Sequence, residues 1–198
     1  MGTPPHDAIL EAATTIFAGH GFAGARVEAI AKAAGINKAM VYYRVGDKAR
    51  LYELVVLRQF ERAARAVESA VTEAVPPAQL LGKILSNMAD LFSADPRLPR
   101  IMAWELASGG VSLPDSVMAL WGRILGAVAP VAAKAGFDPG PAYFSMAGSM
   151  ILFSLTKPLR KRACAVLPPA LAGLGEAGVH DMAAFLTVLF ARAAENHQ

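Results

Sequence analysis

One cysteine, Cys164, is the whole thiol complement of the 198 residues. No internal disulfide is therefore possible, and no cysteine cluster exists to hold zinc or an iron–sulfur centre. Histidine is nearly as scarce: His6, His20, His180 and His197 are scattered, with neither metal-ligand spacing nor a nucleophile signature around them or around Cys164. A glycine-rich phosphate loop is missing as well. These gaps weigh against an enzyme, the main rival class, and predict no catalytic residues, no metal and no cofactor.

Long apolar runs are also lacking. The most apolar stretch, Tyr143 to Leu155, is about a dozen residues and is ended by Pro158, short of the roughly 20 needed to span a bilayer. It predicts a buried helix in a core or a subunit interface, and no membrane partner. Met1 to Asp7 has neither the basic region nor the apolar run of a secretory signal, and Gly2 followed by Pro4-Pro5 is a poor lipidation site. The expectation is a cytoplasmic protein. A net charge of +3 is too small to name a partner. Its distribution says more: Arg26, Lys32, Lys38, Arg44, Lys48 and Arg50 face only Glu28 and Asp47 in that window, a local excess that suits a polyanion.

Strand signals are missing, since apolar spacing is three or four nearly everywhere and no Asn-Gly or Asp-Gly occurs. The chain is predicted to be all-α. Ile9, Ala13, Ile16 and Phe17 form one face of a first helix that Gly19-His20-Gly21 ends, through glycine's tolerance of positive φ. Val27, Ile30, Ala31 and Ala34 make a short second helix that stops at Gly35. Asn37 is placed to cap a third, to about Val45, by accepting a bond from an otherwise orphaned amide. Gly46 ends that helix and Asp47 caps a long fourth one, about Lys48 to Ala74, closed by Pro76-Pro77. Beyond it helices are expected near 78–93, 98–108, 114–135 with a kink at Pro130, 139–156 and 181–195. Lys157 to His180, with Pro168-Pro169 and three glycines, reads as a long connection with at most a short helix.

Two short helices joined at a glycine have the form of a helix-turn-helix, in which the first helix braces the second and the second enters the DNA major groove. If Ile36 and Val41 pack inward, Asn37, Lys38, Ala39, Tyr42 and Tyr43 lie on or near the outer face. Lysine reaches a guanine edge or a phosphate, alanine offers a methyl to thymine, and tyrosine hydroxyls donate to phosphate. Lys48 adds charge at the start of the fourth helix. Taken alone, paired tyrosines on an amphipathic helix are more often half-buried packing, and basic residues on a face are usually just solvated. The conjunction of glycine turn, cap, tyrosine pair and Lys48 favours DNA.

The segment "ILEAATTIFAGHGFAGARVEAIAKAAGINKAMVYYRVGDKARLY", Ile9 to Tyr52, resembles the DNA-binding domain of the TetR family of transcriptional regulators. The elements that carry it are Ala12-Ala13, Phe17, Gly21-Phe22, Ile30-Ala31, Ala34-Gly35, Tyr42-Tyr43 and Lys48 followed by Leu51-Tyr52. The resemblance implies an N-terminal three-helix helix-turn-helix DNA-binding domain, residues 1–50, and a C-terminal helical ligand-binding and dimerisation domain, residues 51–198, linked by a long helix over 48–75. It also implies a homodimer and a small-molecule effector, and it puts Asn37, Lys38, Ala39, Tyr42, Tyr43 and Lys48 against double-stranded DNA. Three positions depart from the family's pattern. Ala25-Arg26 stands where threonines commonly cap the second helix and bind a phosphate, which leaves that contact to Arg26; Val45 stands where phenylalanine is usual; Met40 is bulky near the groove.

The remaining chain is less informative. Met88, Phe92, Met102, Met118, Trp104 and Trp121 sit on helices that could surround a cavity for an apolar or aromatic molecule, methionine being adaptable to irregular space; ordinary core is the plainer reading of each. Glu105 could orient a polar ligand group, or pair with Arg100 or Arg123 at the surface. The last two long helices are apolar on more than one face, with Met146 and Met150 on one and Phe185 and Leu189 on the other, which predicts a four-helix dimer interface; burial of both within a monomer is the alternative. Lys157, Arg160, Lys161 and Arg162 read as a solvated cluster at a helix C-terminus. The function expected is a ligand-responsive regulator, a repressor on a palindromic operator, with a helical carrier of apolar ligands as a third reading.

Overall fold

A computed structural model describes residues 6–72, 74–166 and 168–195; the expectations for Met1 to Pro5 and for His197 lie outside them. The described residues are helical, with no strand among them. Their order is α1 (His6–Gly24), α2 (Val27–Ala33), α3 (Lys38–Val45), α4 (Lys48–Ala70), α5 (Pro77–Ala94), α6 (Arg97–Ala107), α7 (Asp115–Lys134), α8 (Pro139–Leu155), α9 (Lys157–Ala163), a 3₁₀ helix (Pro169–Gly175) and α10 (Val179–Glu195). The chain divides into two compact units. One holds the chain up to Glu61 together with Arg100–Leu120, and the other holds Arg62–Pro99 and the chain from Trp121 onward. Helices α4, α6 and α7 contribute to both.

In the first unit the break expected of Gly19-His20-Gly21 is present in α1. The helix breaks at Gly21, whose φ of 65° and ψ of 179° are non-helical, and a further turn runs to Gly24. Its core gathers Ile9, Ala13 and Phe17 of α1, Val27 and Ile30 of α2, Val41 and Val45 of α3, and Leu51, Tyr52, Val55 and Val56 of α4. Val45 is 6% exposed, so the smaller side chain still seats α3 in the core.

The second unit is built on α5 and α8 packing against α10, with Leu81, Leu85, Met146, Met150, Leu186 and Phe190 buried. The connection after α8 holds more structure than its prolines and glycines predict. Arg160, expected to be solvated, is 8% exposed. Its guanidinium lies 3.6 Å from the Phe153 ring centroid and donates to the carbonyls of Phe153, Leu174 and Ala177 and to Thr156 Oγ1. One buried cation thereby ties the end of α8 to the 3₁₀ segment, because a buried guanidinium is tolerated only when its donors are met. Among the described residues one helix is long and apolar enough to cross a membrane by length and composition, α7, at a mean hydropathy of 1.5. In the fold its Val117, Leu120, Ile124, Val128, Val131 and Ala132 are buried, and it runs on through Pro130.

Asp95 supplies the unit's most consequential ion pairs. It is 5% exposed, accepts from Arg97 Nε at 2.7 Å and from Arg62 Nη1 at 2.8 Å, and takes the Arg97 backbone amide at 3.1 Å. Burial opposes its ionisation, but the hydrogen bonds from the two arginines prevail and hold the carboxyl at about 2 against an ordinary 3.8. A folded-state pKa lower than the unfolded value stabilises the fold above the unfolded value, and that stability is lost as pH falls toward the folded one. The contribution is about 2 kcal/mol. Asp95→Asn is expected to melt earlier than wild type at neutral pH, with the gap closing between about pH 4 and pH 2 in thermal melts; a gap that stays constant with pH would contradict this.

Candidate nucleic-acid interface

The turn and the cap form as their residues require. Gly35 takes a φ of +70°, and the amide of Ile36 returns to the carbonyl of Ala31 at 3.0 Å, closing α2 where an L side chain would be strained. Asn37 is the N-cap of α3, its Oδ1 accepting from the Met40 amide at 2.8 Å. Gly46, at a φ of 87°, ends α3. Asp47 Oδ1 then accepts the Arg50 amide at 2.8 Å and caps α4.

These constraints fix which face of α3 is free. Val41 and Val45 point into the core, while Asn37, Lys38, Ala39, Tyr42 and Tyr43 are exposed. Tyr43 is the extreme case at 87% exposed, against 41% for Tyr42. A phenolic ring held that far out on a capped helix gains nothing from its own fold, and its hydroxyl is free to donate.

Lys38 is not idle. Its Nζ pairs with Glu28 Oε1 of α2 at 2.5 Å and lies 5.7 Å from the Tyr42 ring centroid. The hydrogen bond between them lowers the Glu28 carboxyl and raises the Lys38 ammonium from their ordinary values. Glu28 is therefore a carboxylate that any phosphate must displace, and residue-type reasoning on α3 alone missed it. Arg26 sits at the N-cap position of α2 in extended backbone, makes no side-chain cap and is exposed. The capping that the Ala25-Arg26 departure put in question is absent there.

Lys48 lies on the same unit at the α4 start, its ammonium 4.7 Å from the Phe22 ring centroid and 3.4 Å from the Ala23 carbonyl. Phe22 packs 5.1 Å from Tyr52. The phenol of Tyr52 donates to Glu105 Oε1, and burial with that carboxylate beside it pushes the phenol far above its ordinary range. Glu105, expected beside a ligand or paired with Arg100 or Arg123, is instead 2% exposed in this core; Arg123 pairs with Glu68.

The residues expected to line an effector pocket are divided. Met102, Trp104, Glu105 and Met118 fall in the first unit and Met88, Phe92 and Trp121 in the second. Trp104 donates to the Ala18 carbonyl at 3.2 Å, and Trp121 donates to Tyr143 Oη at 2.8 Å. A cavity of about 320 Å³ in the second unit is lined by Val71, Pro77, Leu80, Ala127, Val131 and Lys134, with Gly126 and Pro130, and by none of those candidates. Of the expected interface residues, Met146 and Met150 are 4% and 2% exposed and belong to the unit's own core. α8 is apolar on nearly every side, and α10 claims that one. Phe185 and Leu189 do face out, at 62% and 50% exposed, as do Val188 of α10 and Phe144 and Leu152 of α8. Among the described residues no group of three or more His, Cys, Asp or Glu side chains could hold a metal.

Residues 9–55, the helix-turn-helix part of the chain, match the family described as bacterial regulatory proteins, tetR family. Among its relatives, the HTH-type transcriptional repressor SCO4008 of Streptomyces coelicolor is 35% identical over 107 residues, 54% of this chain and 52% of that protein. The HTH-type transcriptional repressor NicS of Pseudomonas putida is 29% identical over 127 residues, 63% of this chain and 60% of that protein. The chain thus spans about half to three fifths of the length of these relatives, and the relatives and the family are regulators, not enzymes. The fold as a whole is similar to that of the transcriptional regulator FadR from Bacillus subtilis in complex with stearoyl-CoA, with a TM-score of 0.72 at 15% identity over 94% of this chain and 97% of that one. PfmR from Thermus thermophilus, a TetR family transcriptional regulator, aligns with a TM-score of 0.65 at 19% identity over 93% of this chain and 97% of that one.

Proposed function

We propose that the chain is a ligand-responsive transcriptional repressor that works in the cytoplasm as a homodimer, binds a palindromic operator through α3, and is released from it by a small apolar or aromatic effector. The observation that carries the DNA reading is Tyr43, 87% exposed on a short helix capped at both ends, beside Lys38 and Tyr42. Arg26, Asn37, Ala39 and Lys48 complete the surface, with the cations on phosphates and Ala39 against a base edge. The dimer reading is supported by the outward apolar faces of α8 and α10. The effector reading is supported by the cavity of the second unit, where Lys134 stands among apolar side chains, and by the likeness of the fold to a regulator bound to stearoyl-CoA.

A two-fold dimer places its two recognition helices on half-sites about one helical turn apart, or a little more. Footprinting of the full chain on duplexes tiling the DNA upstream of its own gene is therefore expected to protect two inverted half-sites. Adding stearic acid or stearoyl-CoA tests release, because an effector weakens DNA binding only through its differential affinity for the two states. Protection of a single unrepeated site would contradict the palindrome, and protection nowhere along the upstream DNA would contradict the repressor.

A further inference from the structure

Glu105 is the least comfortable side chain in the first unit. It is 2% exposed, its Oε1 is met by the Tyr52 phenol, and its buried Oε2 has no hydrogen-bond partner. An unmet buried carboxylate oxygen is costly, and an apolar pair of similar volume would serve a plain core better. The same short piece of α6 grips a second element. The Trp104 indole N–H donates to the Ala18 carbonyl, and its ring lies against Gly21, where a Cβ would stand 3.0 Å from Cδ2 and the φ is +65°. Adjacent residues of α6 thus hold α1 at its break and α4 at Tyr52.

What they hold is the seat of a cation. Tyr52 lies one helical turn beyond Lys48 on the same face of α4. Its ring meets Phe17 edge-on at 4.8 Å and Phe22 at 5.1 Å, and Phe22 carries the Lys48 ammonium at 4.7 Å. Phe22 directly follows Gly21. A shift of the indole at Gly21, or a rotation of the phenol released from Glu105, moves the aromatic surface under the ammonium.

We propose that Trp104 and Glu105 are positioning residues for DNA binding: through Gly21, Phe22 and Tyr52 they fix where the Lys48 ammonium stands, and hence whether it meets a backbone phosphate. This rests on the DNA-binding reading given above. Neither residue touches DNA; their effect is on the number of phosphate contacts the dimer makes.

The test uses the full chain and fluorescein-labelled duplexes tiling the DNA upstream of its gene, titrated at several salt concentrations. The variant Tyr52→Phe/Glu105→Leu removes the polar link and leaves an apolar core, so its melting temperature is expected to stay near wild type or rise. Its affinity is expected to fall about tenfold at low salt, and the slope of log K against log[salt] to lose about two units, one phosphate per protomer. Lys48→Ala is expected to lose the same slope, and the combined variant to lose no more than either. Trp104→Phe, which keeps a ring and drops the indole N–H, is expected to move the slope in the same direction and guards against misfolding of the double variant. A folded double variant and a folded Trp104→Phe that both keep the wild-type slope overturn the proposal while leaving the DNA reading intact. Absence of salt-dependent binding by the wild-type chain overturns both.

Discussion

Replacing Lys38 and Tyr43 together by alanine is expected to lower the affinity for operator DNA roughly 100-fold while leaving the melting temperature unchanged. Both side chains are spare to the fold. Tyr43 is 87% exposed, and Lys38 meets the exposed Glu28 and the Tyr42 ring, surface contacts of the kind that contribute little to stability. In a dimer each substitution acts twice, so four contacts are lost; at about 0.7 kcal/mol each, within the usual range for hydrogen bonds, the sum is about 3 kcal/mol and about two decades in affinity. The ion pair adds a signed control. Glu28→Gln frees the Lys38 ammonium from its competitor and is expected to strengthen binding at low salt, whereas an enzyme or a carrier would show neither effect. Anisotropy titrations of the variants beside thermal melts check both, and a Lys38→Ala/Tyr43→Ala chain that binds like wild type would remove α3 from the interface.

Placing glutamate at both Phe185 and Leu189 is expected to convert the proposed dimer to a monomer at micromolar concentration. The exposed stripe of α8 runs Phe144, Gly148, Leu152 at a spacing of four, and that of α10 runs Phe185, Val188, Leu189, so each helix offers one apolar face that its own unit leaves open. Gly148 has open space where a Cβ would stand, which lets another helix come close. An isologous interface repeats every change, so four carboxylates enter an apolar bundle without partners, a penalty of several kcal/mol and more than three decades in the dimerisation constant. DNA affinity is expected to fall with it, because on the proposed palindrome a monomer reads one half-site. Light scattering and circular dichroism measure the two halves of this claim, assembly lost and helix content kept. A wild-type chain that is already monomeric would contradict the dimer.

The parts of the fold legible in the sequence are those that adjacent residues decide. Gly35 and Gly46 allow the positive φ at which α2 and α3 end, Asn37 and Asp47 cap α3 and α4, and Pro139 stands in the first turn of α8. The outward face of α3 follows from Val41 turning inward, as the spacing has it; Ile36, expected inward with it, is half-buried, and Val45 takes the second place in the core. What was not legible depends on partners far along the chain. The Glu28–Lys38 pair crosses a turn, Tyr52 and Glu105 meet across 53 positions, and Arg160 turns an expected surface cation into the centre of the α8 to α10 connection. Met146 and Met150 show a different limit: on a helix as evenly apolar as α8, periodicity does not say which side a neighbour will cover. The cavity residues were hidden for the same reason, since small side chains such as Ala127 and Gly126 line it by leaving space.

Salt dependence of DNA binding by the unmodified chain bears most directly on the DNA-binding account. Titrated against duplexes tiling the DNA upstream of its gene at increasing salt, the chain is predicted to show log K falling linearly with log[salt], with a slope of several units set by cations such as Arg26, Lys38 and Lys48 from two protomers. Binding that does not change with salt, or no binding to any of the duplexes, would contradict the account.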